Sequence, residues 1–288
     1  MAKTIFKSFE ELKANLEITG LQHSTVSTRH QNVRKVIENE MNVLDSFLTG
    51  SYSRHTMIAP LSEADIDIFI ILNPSYYEEA GQANLLDRVK QVLLKTYTKT
   101  PKISRNGQAV TITFTDFVVD VVPAFNRRGG GFLIPNSIKK EWISTDPKTH
   151  VEIMSNENDR HDGNLVPIVK MIKGWNRNIN HAFVSFYLEL LALKIFKSVP
   201  ILDYPSGMKY FFDKGREEIK YKEVKDPVEY GGQINGLDNV SNVDEAVSRF
   251  ETAYDRAKKA EEYEQGGYTE YAINEWRKIF GDYFPAYG

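Results

Sequence analysis

The sequence predicts an α+β protein with an N-terminal lobe built on a mixed sheet, residues 1–145, and a helical lobe, residues 146–288. Three observations predict it. Apolar runs rich in β-branched and aromatic residues, DIDIFIIL at 65–72 and FVVDVVPAF at 117–125, lie in the first half. The run VTITFT at 110–115 alternates apolar and polar residues with the period of a strand. From about residue 147 onward, apolar residues recur at helical spacing instead. A chain of 288 residues is long enough for two such lobes.

Taken in order, the chain opens with a helix near 8–17, where Ser8 and Glu11 stand at capping-box spacing. A long helix is expected over about 25–49, with Val33, Val36, Ile37, Glu40, Met41, Leu44, Phe47 and Leu48 along one stripe. Strand 65–72 follows, bounded by Pro74, then a helix at 83–98. Strands are expected near 102–105, 109–115 and 117–124, and the turn RRGGGF leads into a short extension at 132–135. Helices are expected near 163–179, 182–197, 206–219, 241–264 and 268–281. Residues 221–240 carry DP, GG and NG dipeptides and read as a loop.

Composition excludes several classes. No stretch approaches the ~20 apolar residues of a membrane-spanning helix. The N-terminal MAKTIFKSFEELK is charged and helical, unlike a signal peptide, so a cytoplasmic location is expected. The absence of cysteine excludes disulfides and thiolate zinc sites, and the six histidines show no ligand spacing. A net charge of −3 without a basic stripe argues against binding long nucleic acid. Arg127-Arg128 and Lys139-Lys140 read as short solvated clusters.

The chemistry is concentrated in three acids beside a Gly-Ser turn, Gly50-Ser51. Successive strand side chains point to opposite faces, so Asp65 and Asp67 share one face, roughly 6.5 Å apart, while Ile66, Ile68 and Ile70 face a core. Asp120 sits in its apolar strand with Val118 and Val122 on its own side. If that strand lies beside 65–72, three carboxylates cluster. Charges in apolar strands are costly unless compensated, and paired Mg²⁺ ions would compensate them. Glycine allows close backbone approach. The neighbouring N–H and the Ser51 hydroxyl can hold phosphate oxygens, with Arg54 adding charge. Read alone, a D-x-D or a Gly-Ser is a solvated turn; it is the ordered conjunction that points to phosphoryl transfer.

These residues resemble the polymerase-β-like nucleotidyltransferases, and within them the cGAS/DncV-like enzymes (CD-NTases) of bacterial CBASS antiphage signalling. In GSYSRHTMIAPLSEADID, Gly50, Ser51, Arg54, Thr56, Pro60, Asp65 and Asp67 fall at the family's spacing. The resemblance continues through VDVVPAF, WISTDP at 142–147, LVPIVKMIKGWN at 165–176 and VSFYLELLALKI at 184–195. It implies a template-independent synthase that joins nucleoside triphosphates into a cyclic oligonucleotide signal, read by a downstream effector. It also implies two Mg²⁺ ions, replaceable by Mn²⁺, on Asp65, Asp67 and Asp120. Gly50 and Ser51 would hold the triphosphate, Lys173 and Ser185 would contact its phosphates, and Phe186 would stack on a base. Lys170 is a weaker candidate. From the residues themselves, Lys170 and Lys173 also fit a solvated helix face, Phe186 fits core packing, and Glu189 fits a structural ion pair. A monomer with its nucleotide cleft between the lobes is expected.

Two rivals remain at this level. One is nucleotide transfer to RNA ends or to a protein, as in CCA-adding and antitoxin-type enzymes. The other is a binding scaffold without catalysis, which the retention of all three acids disfavours. The terminal Gly288 fits relatives whose C-terminal residue is joined to targets by a ubiquitin-ligase-like partner. An unstructured terminus is the simpler expectation for this tail.

Overall fold

The computed structural model describes residues 4–100 and 102–288, so the first three residues of the charged N-terminal stretch lie outside the described residues. In chain order its main elements are α1 (Ile5–Leu16), α2 (Gly20–Glu38), β1 (Val43–Thr49), α3 (Gly50–Ser53), β2 (Asp65–Leu72), α4 (Gln82–Thr96), β3 (Lys102–Arg105), β4 (Val110–Thr113) and β5 (Val118–Asn126). They continue with β6 (Phe132–Asn136), β7 (Glu141–Thr145), α5 (Pro147–Arg160), α6 (Leu165–Asn178), α7 (Ser185–Phe196), α8 (Tyr204–Glu218), β8 (Glu223–Lys225), β9 (Gln233–Asn235), α9 (Val243–Gln265) and α10 (Thr269–Phe280). The chain divides into two compact units, one of residues 18–152 and 228–231, the other of residues 1–17, 153–227 and 232–288. None of the described helices is long and apolar enough to cross a membrane.

The sheet unit has strand order β1-β2-β5-β4-β3, with β6 and β7 extending from β5. Among the described residues only the β2–β5 pair is parallel; the other pairings in this sheet are antiparallel. One face of β2, β5 and β4 is buried under α2 and α4: Ile66, Ile68, Ile70, Val119, Val121, Val110 and Ile112 pack with Val26, Val33, Ile37, Leu86, Val89 and Leu93. This is the mixed sheet that the alternating runs predict.

The expected helix over 25–49 is corrected. It starts earlier, at Gly20 behind a Thr19–Gln22 capping box, and ends at Glu38. Residues 43–49 form strand β1 instead. Their spacing fits a helical stripe, but a short apolar run is ambiguous by period alone. Pairing with β2, in the register Phe47↔Phe69 and Leu48↔Ile68, decides it. Phe47 then packs on Phe69 and Phe132, with ring centroids 5.5 and 5.4 Å away. Leu44, expected in the buried stripe, is exposed, and Glu40 bonds the exposed Lys95.

The first helix also starts earlier than expected. Thr4 caps it by accepting from Lys7 N, while Ser8 lies inside and donates back to Thr4 O. This helix, α1, packs with the helical unit, because Phe9 makes edge contacts with Trp276, Phe280 and Phe284 at 4.9, 6.0 and 5.2 Å. The boundary therefore falls near residue 152, and residues 4–17 belong with the helices. Within that unit Trp175 of α6 is enclosed by Phe183, Phe212 and Phe250. Residues 221–240, expected as a loop, hold the two-stranded β8–β9 pair. The tail is not loose throughout, since Phe284 is buried and stacks on Phe280.

Candidate active site

β2 and β5 run side by side in the register Asp65↔Val118 and Asp67↔Asp120. Paired residues of neighbouring strands present their side chains on the same side of the sheet. Asp65, Asp67 and Asp120 therefore share one face, with Asp67 and Asp120 as direct neighbours. Further along that face stand Phe69, Ile71, Val122 and Ala124, buried with Phe132 and Ile134 of β6. One sheet face thus changes character along its length. It is apolar where β6 covers it and carboxylate-bearing beyond, where Asp65 is exposed and Asp67 and Asp120 are half-buried.

Burial pushes the Asp120 carboxyl above the usual carboxylate range, while a hydrogen bond from Thr111 pulls it the other way. Thr111 Oγ1 donates to Asp120 Oδ1 at 2.6 Å. Asp65 keeps part of its side chain in solvent, but loss of water around its carboxyl, and then the charge of Asp120, still raise it. A cation on this face would relieve both the burial cost and the repulsion. Among the described residues, no three His, Asp or Glu side chains come together as a group that could hold a metal ion by themselves. Magnesium takes one or two carboxylates and keeps water and substrate phosphate as its other ligands, so an open face of hard oxygen donors fits it.

Gly50 follows β1, whose last residue, Thr49, pairs with Asp67. Its φ is +65°, and a Cβ there would stand 1.9 Å from Asp67 Oδ2. The position needs glycine both for its backbone and for the carboxylate pressed against it. The expected placement of Gly50-Ser51 at a helix end is corrected: the pair follows a strand and opens a single helical turn. Ser51 O accepts from Thr56 N and Met57 N at 2.9 and 3.1 Å, which folds the following loop back on the turn. Thr56 and Arg54 are buried in this loop. Pro60 follows the cis Ala59–Pro60 bond.

The other predicted residues belong to the helical unit. Lys170 and Lys173 do not form a solvated face. Both are buried, because α6 is enclosed by the rest of its unit along most of its length, its polar positions included. Lys173 Nζ lies 2.5 Å from Glu189 Oε1, and Lys170 Nζ lies 2.6 Å from Glu17 Oε2. Buried ammonium groups are tolerated when paired in this way. Glu189 is thus the structural ion-pair partner that its apolar helix implied. Ser185 opens α7 and is exposed; Phe186 is half-buried rather than part of the core. Sequence reasoning missed Thr111. Its signal was the polar position opposite Ile112 in VTITFT, which places it on the acid-bearing face.

One sheet face thus presents three carboxylates beside a glycine turn. Residues 4–158 match the Second Messenger Oligonucleotide or Dinucleotide Synthetase domain (SMODS), and the chain belongs to that family of nucleotidyltransferases. A probable cyclic nucleotide synthase of Bacillus cereus (strain VD146) is 27% identical over 337 residues, spanning 100% of this chain and 99% of that protein. The cyclic AMP-AMP-AMP synthase of Acinetobacter sp. (strain ATCC 27244 / 9458) is 25% identical over 303 residues, spanning 98% of this chain and 86% of its own. In fold, the chain resembles E. coli MS115-1 CdnC solved with ATP, with a TM-score of 0.78 at 17% identity, covering 98% of this chain and 99% of that one.

Proposed function

We propose that this enzyme joins nucleoside triphosphates, without a template, into a cyclic oligonucleotide of two or three nucleotides that acts as a second messenger in antiphage defence. The observation that carries this reading is the Asp67↔Asp120 register with Gly50 against Asp67, in a chain of this family. The names of the two synthases support a cyclic product. Two Mg²⁺ ions, replaceable by Mn²⁺, would be held by Asp65 and Asp67, with Asp120 on one of them, and would offset charge on the attacking and leaving oxygens. Asp120 also helps activate the attacking hydroxyl. The bare backbone at Gly50 and the Ser51 hydroxyl hold triphosphate oxygens. On the same reading Ser185 and Lys173 serve the phosphates and Phe186 a base. The product then acts through a separate effector protein.

The test is incubation of the purified protein with the four nucleoside triphosphates and Mg²⁺, phosphatase treatment, and mass spectrometry. A phosphatase-resistant cyclic oligonucleotide is expected. Label appearing only on RNA ends or on protein would replace this reading by the transferase alternative.

A further inference from the structure

The acid-bearing face is tied to a turn at the edge of the sheet through two polar side chains. Thr111 stands opposite Asp120 in the β4–β5 register, and its hydroxyl donates to Asp120 Oδ1 at 2.6 Å. That hydroxyl has a single proton and accepts elsewhere. Asn106 Nδ2 donates to Thr111 Oγ1 at 3.2 Å. The amide of Asn106 is itself oriented by the backbone, because its Oδ1 accepts from Gln108 N at 3.1 Å and Ala109 N at 2.8 Å. Only the oxygen end of an amide can accept those bonds. The turn is anchored in its turn: Asn106 N donates to Ala109 O at 3.0 Å, and Ser137 N donates to Gly107 O at 2.7 Å. Every donor in the series has one direction. The amide points at the hydroxyl, and the hydroxyl points at the carboxylate.

We infer that Asn106 and Thr111 are positioning residues for Asp120: Thr111, its hydroxyl aimed by Asn106, engages Oδ1, fixes the plane of the carboxylate, and leaves Oδ2 for the cation and the reacting hydroxyl. Thr111 suits this role because a β-branched side chain on a strand is stiff at χ1. The inference rests on the reading of Asp65, Asp67 and Asp120 as the cation-binding set. Outer partners that orient a ligating carboxylate are worth about 10–100-fold in metal affinity or activity.

The experiment measures Mn²⁺ binding to the nucleotide-free protein by electron paramagnetic resonance of the free ion, together with kcat, KM for ATP and Tm. For Thr111→Val we expect Mn²⁺ affinity and kcat to fall about 10–100-fold, KM to change little, and Thr111→Ser to restore both. Asn106→Asp keeps the acceptors for Gln108 N and Ala109 N but cannot donate, so it competes for the Thr111 proton. Its added negative charge alone would tighten Mn²⁺ binding; weaker binding at an unchanged Tm is therefore the signature of lost orientation. Should Thr111→Val fail to fold, Asn106→Asp and Thr111→Ser still decide. Wild-type Mn²⁺ affinity and kcat in Asn106→Asp, with Asp120→Asn impaired in both, would overturn the positioning chain alone. Wild-type Mn²⁺ affinity in Asp120→Asn would overturn the cation-set reading, and the inference with it.

Discussion

Asp120 shows how one residue serves opposed demands. Its strand neighbours Val119 and Val121 are buried in the core, while its own carboxyl is raised by burial beside the raised Asp65. A folded pKa above the unfolded value stabilises below the unfolded pKa, near 3.9, and that contribution is lost as pH rises through the folded value. At neutral pH without metal, the ionised acids therefore work against folding. Asp65→Asn and Asp120→Asn are expected to raise Tm in EDTA at pH 7 while lowering turnover at least hundredfold, as loss of several kcal/mol of transition-state stabilisation requires. Thermal unfolding and product assays check the pair, and near-wild-type turnover would end the assignment. Lys173 and Glu189 pose a second residue-scale question. Their side chains are 7% and 1% exposed, and removing one partner of a buried pair costs about 3–5 kcal/mol. Glu189→Ala should lose about that much stability by urea unfolding, and Lys173→Met/Glu189→Leu should recover most of it. If the recovered double variant also has a raised KM for ATP, Lys173 serves phosphate as well as the fold.

At the scale of elements, the packing of α2 on the sheet includes a titratable contact. His30 on α2 has its Nε2 3.1 Å from the Oγ of the buried Ser46 on β1. Burial, and then the charge of Arg34, hold the imidazole below its ordinary value, with Asp45 opposing. A lowered histidine contributes stability that is present above the unfolded pKa, near 6.5, and is lost as pH falls through the folded value. Tm is expected to fall between pH 7 and pH 5 more steeply in the native protein than in His30→Asn. Parallel curves would show that this contact carries no such dependence. The same two elements account for the main error of sequence reading. Met41, Leu44, Phe47 and Leu48 continue the helical spacing of α2, yet the chain leaves the helix at Glu38, because the edge of β2 offers pairing that spacing cannot reveal.

At the scale of the whole molecule, the net charge of −3 accompanies a synthase expected to act on nucleoside triphosphates without a long nucleic acid partner. Binding long nucleic acid through its phosphates calls for a concentrated basic surface. Nuclease-treated protein is therefore expected to form product at an unchanged rate, and salt is expected to affect the reaction no more with added duplex DNA than without it. Strict dependence on duplex would contradict this. The aromatic packing of Phe9 on Trp276, Phe280 and Phe284 makes residues 4–17 part of the helical unit. Replacing a buried Phe by Ala costs about 3–5 kcal/mol, so Phe9→Ala should lower thermal stability by that order, as calorimetry would show.

The sequence by itself determined the α+β class, the strand at 65–72, a strand near 117–124 that the fold places at Val118–Asn126, the helices from about residue 163 onward but not Pro147–Arg160, and the shared face of Asp65 and Asp67. These are local matters: side-chain alternation on a strand and helical periodicity are written in nearest neighbours. It also determined the family, through the order and spacing of Gly50, Ser51, Asp65, Asp67 and Asp120. Only tertiary structure decided that residues 43–49 are a strand, that Lys170 and Lys173 are buried and paired, and that Gly50 lies against Asp67. It alone brought Thr111 to Asp120 and Asn106 to Thr111. Each of these is a contact between segments whose separation along the chain leaves no periodic mark. Strand pairing, burial of a charge and the aim of a hydroxyl are settled by what the fold brings alongside.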